Sequence, residues 1–472
     1  MSLQVFLYAQ FRGIERFLAG AGSDASLASR ALWVSLLTEV VPRSFLAARG
    51  LSPLLAGYSG GGSFLLLIGE PSVPEADAYL ASIREAVHAA TAGQLELHWS
   101  STENLGSWPN VWSRLRDGLR RSRLAPLAPW GAAAFSSPLP DPGPEDAAPW
   151  HDLVSRLSSA ATFGCSPENP LLFLPAAGEH QWSLDSLGVP LPSAAPRDLA
   201  RKAQGRRTWG LLRCDIDHAG LRLQQADTAE NFLYLAILYK GLVAGELQRI
   251  AALPQHAGRV AILFSGGDDF AITGAWDALL SVATEFHRVF SLFAADLPGG
   301  KDVPEGASLS AALSVAGPDD SLASLWRRNH ATLEAVKSSG GNAFALFDRF
   351  LDWPALKEAE SLKSRIRKLR ENFQCPPAVF AELEEFYGAR GAGDLLASVR
   401  SRRRERALQR PWRFQSRLRR LAGDRSGSEF DRQWRAFLGD LMGRGASPKQ
   451  LRPAGKVALD WAQLESGWRA RD

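Results

Sequence analysis

The order in which apolar and amphipathic runs follow one another constrains this chain more than any other feature. From Trp209 the runs read as a strand (Trp209 to Asp217), a helix (Thr228 to Ala252) and two strands (Val260 to Phe264, Phe270 to Thr273). A helix (Trp276 to Phe293), a strand (Ser308 to Val315) and a closing helix (Leu322 to Lys337) complete the series. The first hundred residues carry the same βαββαβ order. There the strands are Leu3 to Ala9, Leu51 to Gly57, Phe64 to Ile68 and Leu95 to Trp99, with an amphipathic helix through Leu27 to Val40 and another at Val73 to Ala90. One split unit occurring twice, with almost no residue identity between the copies, predicts an α+β fold with a duplicated ferredoxin-like module.

Between the copies, Pro126, Pro129, Pro138, Pro140, Pro142, Pro144 and Pro149 prevent a continuous helix, so this stretch reads as a linker or irregular insertion. Beyond Asp352 the chain is charged and helix-favouring, which predicts a separate α-helical domain. The expected boundaries are residues 1–124, 125–206, 207–350 and 351–472. A length of 472 residues with 46% apolar content supports several cores. No apolar run reaches the ~18 residues needed to cross a bilayer, and the first residues lack the order of a signal peptide, so the expectation is a cytoplasmic protein with no membrane partner. Cys165, Cys214 and Cys375 show no Cys-x-x-Cys spacing and predict neither zinc nor a disulfide framework.

Charge is concentrated in one place. Ser398 to Arg425 holds eleven Arg against Glu405 and Asp424, a local +9 in a chain of formal charge +4. Such a segment reads either as a footprint for phosphate backbones or as a solvated helix face. Trp412, Phe414 and Trp434 fall in or near it, and could serve RNA, protein contacts or the helical core.

The chemistry-bearing residues lie in the second copy. Alternation along the strand Leu211 to Asp217 puts Asp215 and Asp217 on one face, with Ile216 toward the core. The strand from Val260 runs into Ser265-Gly266-Gly267-Asp268-Asp269-Phe270, where two glycines permit a tight hairpin with two carboxylates at its tip. In a ferredoxin-like sheet the first strand lies beside this hairpin, which gathers up to four carboxylates at one edge. Such a cluster repels itself unless cations intervene. Two divalent ions ~4 Å apart would lower the pKa of an attacking hydroxyl and stabilise departing pyrophosphate. The candidate metal set is Asp215, Ile216, Asp217, Asp268 and Asp269, with Mg2+ (or Mn2+) as the ion.

These motifs resemble the large subunit of type III CRISPR complexes of the Csm and Cmr kind, a relative of nucleotidyl cyclases, GGDEF enzymes and palm-type polymerases. Asp215-Ile-Asp217-His-Ala-Gly220 is similar to that family's Asp-x-Asp-x-x-Gly segment, and Phe264 to Phe270 followed by Trp276 to its Gly-Gly-Asp-Asp hairpin. Glu334-Ala-Val-Lys337-Ser-Ser-Gly-Gly341-Asn342 resembles its Lys-containing helix end and glycine turn. The first copy resembles the family in degenerate form. Arg12 to Phe17 is similar to its Gly-Ile-Gln-x-Phe-Ile opening, Gln10 stands where a metal-binding Asp is expected, and the hairpin Gly60-Gly61-Gly62-Ser63-Phe64 has no acidic pair.

The resemblance implies two palm (nucleotidyl cyclase-like) domains, the first inactive and the second active, followed by the helical domain. It further implies synthesis of cyclic oligoadenylate from ATP by 3′–5′ linkage when target RNA pairs with guide RNA, in a complex with backbone and small helical subunits. Asp215, Asp268 and Asp269 would be catalytic, with Asp217 either assisting or structural; Gly266, Gly267 and Ser265 would contact nucleotide, as would Lys337 unless it is a solvated helical lysine and Ser63 unless it is a turn serine. Two features of many relatives are not expected. The first palm begins at residue 1 and His151-Asp152 reproduces only a dipeptide, so no histidine–aspartate nuclease is predicted; Cys165 alone predicts no zinc knuckle between the palms.

Three rival readings compete. Gly57-Tyr58-Ser59-Gly60-Gly61 fits a hydrolase nucleophile elbow, but a strand rather than a helix follows it. A diguanylate cyclase shares the palm motifs, although a fused degenerate partner fits it less well. The third reading is a catalytically silent scaffold for guide RNA and small subunits.

Overall fold

The computed structural model describes residues 3–124, 147–192, 195–295, 297, 306–387, 411–423, 427–442 and 452–467. The first module runs β1 (Gln4–Arg12), α1 (Ile14–Ala19), α2 (Asp24–Ala48), β2 (Ala56–Gly60), β3 (Ser63–Gly69), α3 (Val73–Ala90), β4 (Glu96–Glu103) and α4 (Trp108–Leu124). Its antiparallel sheet has the order β2-β3-β1-β4, the ferredoxin-like arrangement in which the first strand lies between the hairpin and the last strand. Ser23 starts α2 by accepting a hydrogen bond from the Ser26 N–H.

Helix α2 departs from the amphipathic reading. It is buried on nearly every face, because the first sheet covers one side and the second module the other; Leu263 and Ala271 of the second module share its core. With a mean hydropathy of 1.3 it has the length and composition of a membrane span, yet 72% of that window is buried inside the protein, as in a core helix.

Residues 147–192 form a packed layer on the first module: α5 (Leu153–Leu157), the hairpin β5 (Phe163–Cys165) and β6 (Phe173–Pro175), and α6 (Leu184–Leu187). Trp150 packs edge-on to Phe17 with ring centroids 4.9 Å apart, and Trp33 Nε1 donates to the Leu171 carbonyl at 3.0 Å. His151 and Asp152 form an exposed pair here. Helix α7 (Pro196–Ala200) leads into the second module.

That module runs β7 (Trp209–Ile216), α8 (Ala219–Gln224), α9 (Ala229–Lys240), α10 (Leu247–Ala251), β8 (Val260–Gly266), β9 (Asp269–Ala275), α11 (Trp276–Ala294), β10 (Leu309–Val315) and α12 (Leu322–Ser338). The single helix expected over Thr228 to Ala252 is interrupted by a π-helical turn at Gly241–Glu246, which separates α9 from α10. The sheet order β10-β7-β9-β8 repeats the first module, and β11 (Ala343–Leu346) and β12 (Arg349–Asp352) extend its β10 edge. That extension was not anticipated.

The C-terminal helices α13 (Trp353–Glu371), α14 (Pro377–Tyr387), α15 (Pro411–Ala422), α16 (Ser428–Met442) and α17 (Pro453–Ser466) do not form a separate core. Ile366, Leu383, Phe437 and Val457 belong to the same buried cluster as Leu212 and Phe270 of the second module. Trp434 is part of that core, stacked on Phe430. Most of the Arg-rich segment lies outside the described residues, as do the side chains of Trp412 and Phe414. Two of its members are engaged within the protein: Arg417 with Glu382 and Arg419 with Asp431.

Candidate active site

The second sheet brings its carboxylates together through backbone register. On the antiparallel β7–β9 ladder Asp215 faces Asp269, and on β8–β9 Gly266 faces Asp269, so the turn consists of Gly267 and Asp268. Gly267 has φ 67°, a conformation that is strained for residues with a Cβ. The Ile216 N–H donates to the Asp268 carbonyl at 2.9 Å, tying the end of β7 to the turn. The Ile216 side chain is buried, which leaves only its carbonyl available to a cation.

Asp217 lies where β7 has ended and makes different contacts. Its carboxylate accepts from Ser308 Oγ at 2.7 Å, Ser310 Oγ at 2.6 Å and the Asn342 N–H at 2.8 Å. Gly341 packs so closely on it that a Cβ there would lie 2.8 Å from Asp217 Oδ1. Asp217 thus fastens the turn after α12 to the sheet. These contacts favour the structural role for this residue.

Anchoring that turn brings Lys337, near the end of α12, to the cluster, where its Nζ lies 2.7 Å from Asp215 Oδ2. Burial and the neighbouring Asp268 nevertheless push Asp215 up to about 7, against the pull of Lys337. Burial raises Asp268 as well, and burial with Asp268 and Asp215 raises Asp269 well above the carboxylate range. Burial opposes the charge on Lys337, but Asp215 outweighs it and raises the ammonium. One ammonium therefore faces three crowded carboxylates. Hard oxygen donors with surplus negative charge suit a divalent cation. Among the described residues no three His, Cys, Asp or Glu side chains converge as a preformed cage; the donor chemistry fits an ion, and binding would draw the carboxylates inward.

The first module repeats this strand register with different side chains. Gln10 faces Ser63 as Asp215 faces Asp269, Gly60 faces Ser63 as Gly266 faces Asp269, and the Phe11 N–H donates to the Gly62 carbonyl at 2.7 Å. Position by position, Gln10, Gly62 and Ser63 stand for Asp215, Asp268 and Asp269. Arg123 donates to Gln10 Oε1 at 2.5 Å, so a guanidinium approaches the point where the other palm gathers carboxylates.

The two hairpins touch. A Cβ on Gly60 would lie 2.7 Å from Gly267 N, and one on Gly267 would lie 3.3 Å from Gly61 Cα. Beside this contact opens a cleft of about 370 Å³, lined by Phe11 to Glu15, by Ser35, Thr38 and Glu39 of α2, by Gly60 to Gly62, and by Ser265, Gly266, Asp269 and Lys240. Ser265 Oγ is buried there with no hydrogen-bond partner among the described residues. Ser63 is not among the cleft-lining residues; it is buried and donates to the Gly60 carbonyl at 3.1 Å, as a turn serine does. Ser59, the would-be hydrolase nucleophile, is buried on β2 and bonded to Glu39.

Sequence reasoning missed two ion pairs that cross from one palm to the other. Arg213, two residues before Asp215, makes a paired contact with Glu15 of α1 at 2.5 and 3.1 Å, and Trp326 Nε1 donates to the same carboxylate. Lys240, at the end of α9, reaches Glu39 of α2 at 2.6 Å. Partners 198 and 201 residues apart leave no local signal.

Comparison with known proteins agrees with this geometry. Residues 208–345 match the family model for the second palm domain of Cas10/Cmr2. The single-strand-specific deoxyribonuclease Cas10/Csm1 (subtype III-A) of Thermococcus onnurineus (strain NA1) is 26% identical over 119 residues, 22% of this chain and 15% of that protein. Among solved structures, the Csm1–Csm4 cassette with pppApApA superposes with a TM-score of 0.71 at 14% identity, covering 98% of this chain and 69% of the other. The cassette with cA4 gives 0.69 at 15% identity, covering 98% and 70%. The cassette with AMPPNP gives 0.58 at 16% identity, covering 72% and 54%. The chain thus spans about half to two thirds of the solved Csm1 chains and a smaller part of the curated relative. Residues 208–345 are thus similar to the second palm domain of Cas10/Cmr2, and the chain has the fold of the solved Csm1 chains.

Proposed function

We propose that the chain is a divalent-metal-dependent nucleotidyltransferase that joins ATP into cyclic oligoadenylate, within a cytoplasmic RNA-guided complex that responds to target RNA. The observation that carries the reading is the register that sets Asp215 opposite Asp269 with Asp268 at the adjoining turn, directly against the glycine hairpin of the other palm. Relatives with this fold have been solved with ATP, pppApA, cA3 and cA4.

Asp215, Asp268 and Asp269 would hold Mg2+ or Mn2+, which when bound supplies charge neutralisation on the triphosphate and on the attacking oxygen. Lys337 would neutralise triphosphate charge beside Asp215, and Ser265, Gly266 and Gly267 would present a close-approaching backbone and a free hydroxyl to the nucleotide. The cleft against Gly60 to Gly62 would hold the acceptor nucleotide. In the step itself, the acceptor 3′-oxygen bonds to the donor α-phosphorus, the bond to the β-phosphate oxygen breaks, and pyrophosphate leaves. Guide RNA, target RNA and companion subunits would act through the complex.

The test is the chain in its complex with ATP, Mg2+ and cognate target RNA, compared with Asp268→Ala/Asp269→Ala. Adenylate oligomers from the wild type alone support the reading, and equal product from both moves the chemistry elsewhere. GTP in place of ATP separates a diguanylate cyclase, and absence of product from either nucleotide leaves the scaffold reading.

A further inference from the structure

At the floor of the interpalm cleft, four polar side chains from three elements form one network. Glu39 of α2 is 4% exposed, and its carboxylate takes Lys240 Nζ on Oε1 at 2.6 Å. Arg43, one turn along α2, contacts Oε2 at 2.6 Å, and Ser59 Oγ donates to the same oxygen at 2.8 Å. Lys240 Nζ also lies 3.1 Å from Ser59 Oγ. Glu39 and Arg43 belong to the first palm's helix, Ser59 to its outer hairpin strand, and Lys240 to the second palm.

Two features set this network apart from ordinary interface pairing. Ser59 immediately precedes Gly60, the residue whose backbone meets Gly267 of the acidic hairpin. Lys240 immediately precedes the π-helical turn, a local departure from α-helical winding. The network therefore joins the second palm, through one side chain, to the strand that presents the opposing hairpin. Both Glu39 and Lys240 also line the cleft.

We infer that Lys240 is a positioning residue. Its bridge to Glu39 and Ser59 holds the degenerate palm's hairpin in register with Asp268 and Asp269, and so sets the distance between acceptor and donor nucleotides. This rests on the nucleotide-joining function proposed above, and it assigns Lys240 no contact with the reacting atoms. A clamp of this kind acts on the rate of bond formation far more than on the affinity of the acidic palm for nucleotide, because misplacement of one reactant by ~1 Å can cost ~100-fold.

The test compares wild type, Lys240→Met, Lys240→Arg and Glu39→Gln in the full chain with its complex. Arg43 still pairs with Glu39 when Lys240 is replaced by Met, so the buried carboxylate keeps a cation and the fold survives; a thermal melt checks this. Expected for Lys240→Met is a ~10- to 100-fold lower rate of first-bond formation from ATP, with the dissociation constant of a non-hydrolysable ATP analogue plus Mg2+ changed less than ~3-fold. Hydrogen exchange across residues 56–66 should rise in Lys240→Met and in Glu39→Gln, and Lys240→Arg should return the rate to within ~5-fold of wild type. An unchanged rate, an affinity that falls in step with the rate, or unchanged exchange at the hairpin each overturns the inference. If wild type makes no oligonucleotide, the proposed function fails, whereas the exchange measurement still decides the clamp.

Discussion

The proton affinity of the carboxylate cluster makes the metal-free protein less stable as pH rises, and Asp215→Asn should remove much of that slope. Asp215 is raised from 3.8 to about 7 by burial and by Asp268, while its unfolded value stays near 3.8. Between these values the folded chain holds a proton that the unfolded chain has lost. Stability then falls by about 1.4 kcal/mol per pH unit, and the loss is complete once pH passes the folded value. From pH 5 to 8 this one group removes about 3 kcal/mol, all of it below pH ~7. Asp268 and Asp269 are raised too and act in the same direction. For a domain of this size the loss corresponds to roughly 5 to 10 °C in melting temperature. The assay is thermal melting in chelator at pH 5 and 8, for wild type and Asp215→Asn, so that unrelated titrations cancel in the difference. Mg2+ added at pH 8 should recover more stability in wild type than at pH 6, where protons compete with it. A wild-type protein that gains as much stability toward pH 8 as Asp215→Asn would refute the claim that these carboxylates share one buried site.

Gly60→Ala places a Cβ 2.7 Å from Gly267 N, and the hairpins must move apart. The expected cost is about 2 kcal/mol with at least a ~10-fold loss of oligoadenylate formation, read by denaturant unfolding and product analysis; an unchanged rate would mean that hairpin contact is unimportant. Asp217→Ala strands the Ser308 and Ser310 hydroxyls and the Asn342 N–H. It should destabilise the chain by about 3 kcal/mol while Mn2+ affinity at the cluster changes little, and the opposite pattern would restore Asp217 as a ligand.

What could be read in advance, and what could not, follows from the range of each signal. Alternation and turn glycines act over a few residues, and they were enough to set Asp215 beside the Asp268–Asp269 turn. Alternation also set Asp217 near Asp215, but it could not show that Ser308, Ser310 and Asn342, all distant in sequence, hold the Asp217 carboxylate. The amphipathic reading of α2 failed for a tertiary reason, since a second palm covers the face that a lone module would expose to water. Strands β11 and β12 have only four residues each, too few for periodicity to register, and their turn uses positive φ at Phe347 and Asp348 without a glycine. The Glu39–Lys240 and Glu15–Arg213 pairs exist only because the palms dock, so no window of sequence contains them.

Duplication nevertheless makes one comparison unusually direct. Both palms hold the same strand order, the same hairpin closure and the same hydrogen bond from the strand end to the turn. Strand order and register are thereby shared, although Gly62 has φ 74° where Asp268 is not at positive φ, and the side chains differ at three matched positions: Gln10 or Asp215, Gly62 or Asp268, Ser63 or Asp269. A palm that has lost its carboxylates no longer repels itself and needs no cation to dock tightly. Its hairpin can then pack glycine against glycine on the acidic one, a contact that two acidic hairpins would oppose. The first palm thus contributes a neutral wall, and the cross-palm ion pairs hold that wall against the acidic hairpin.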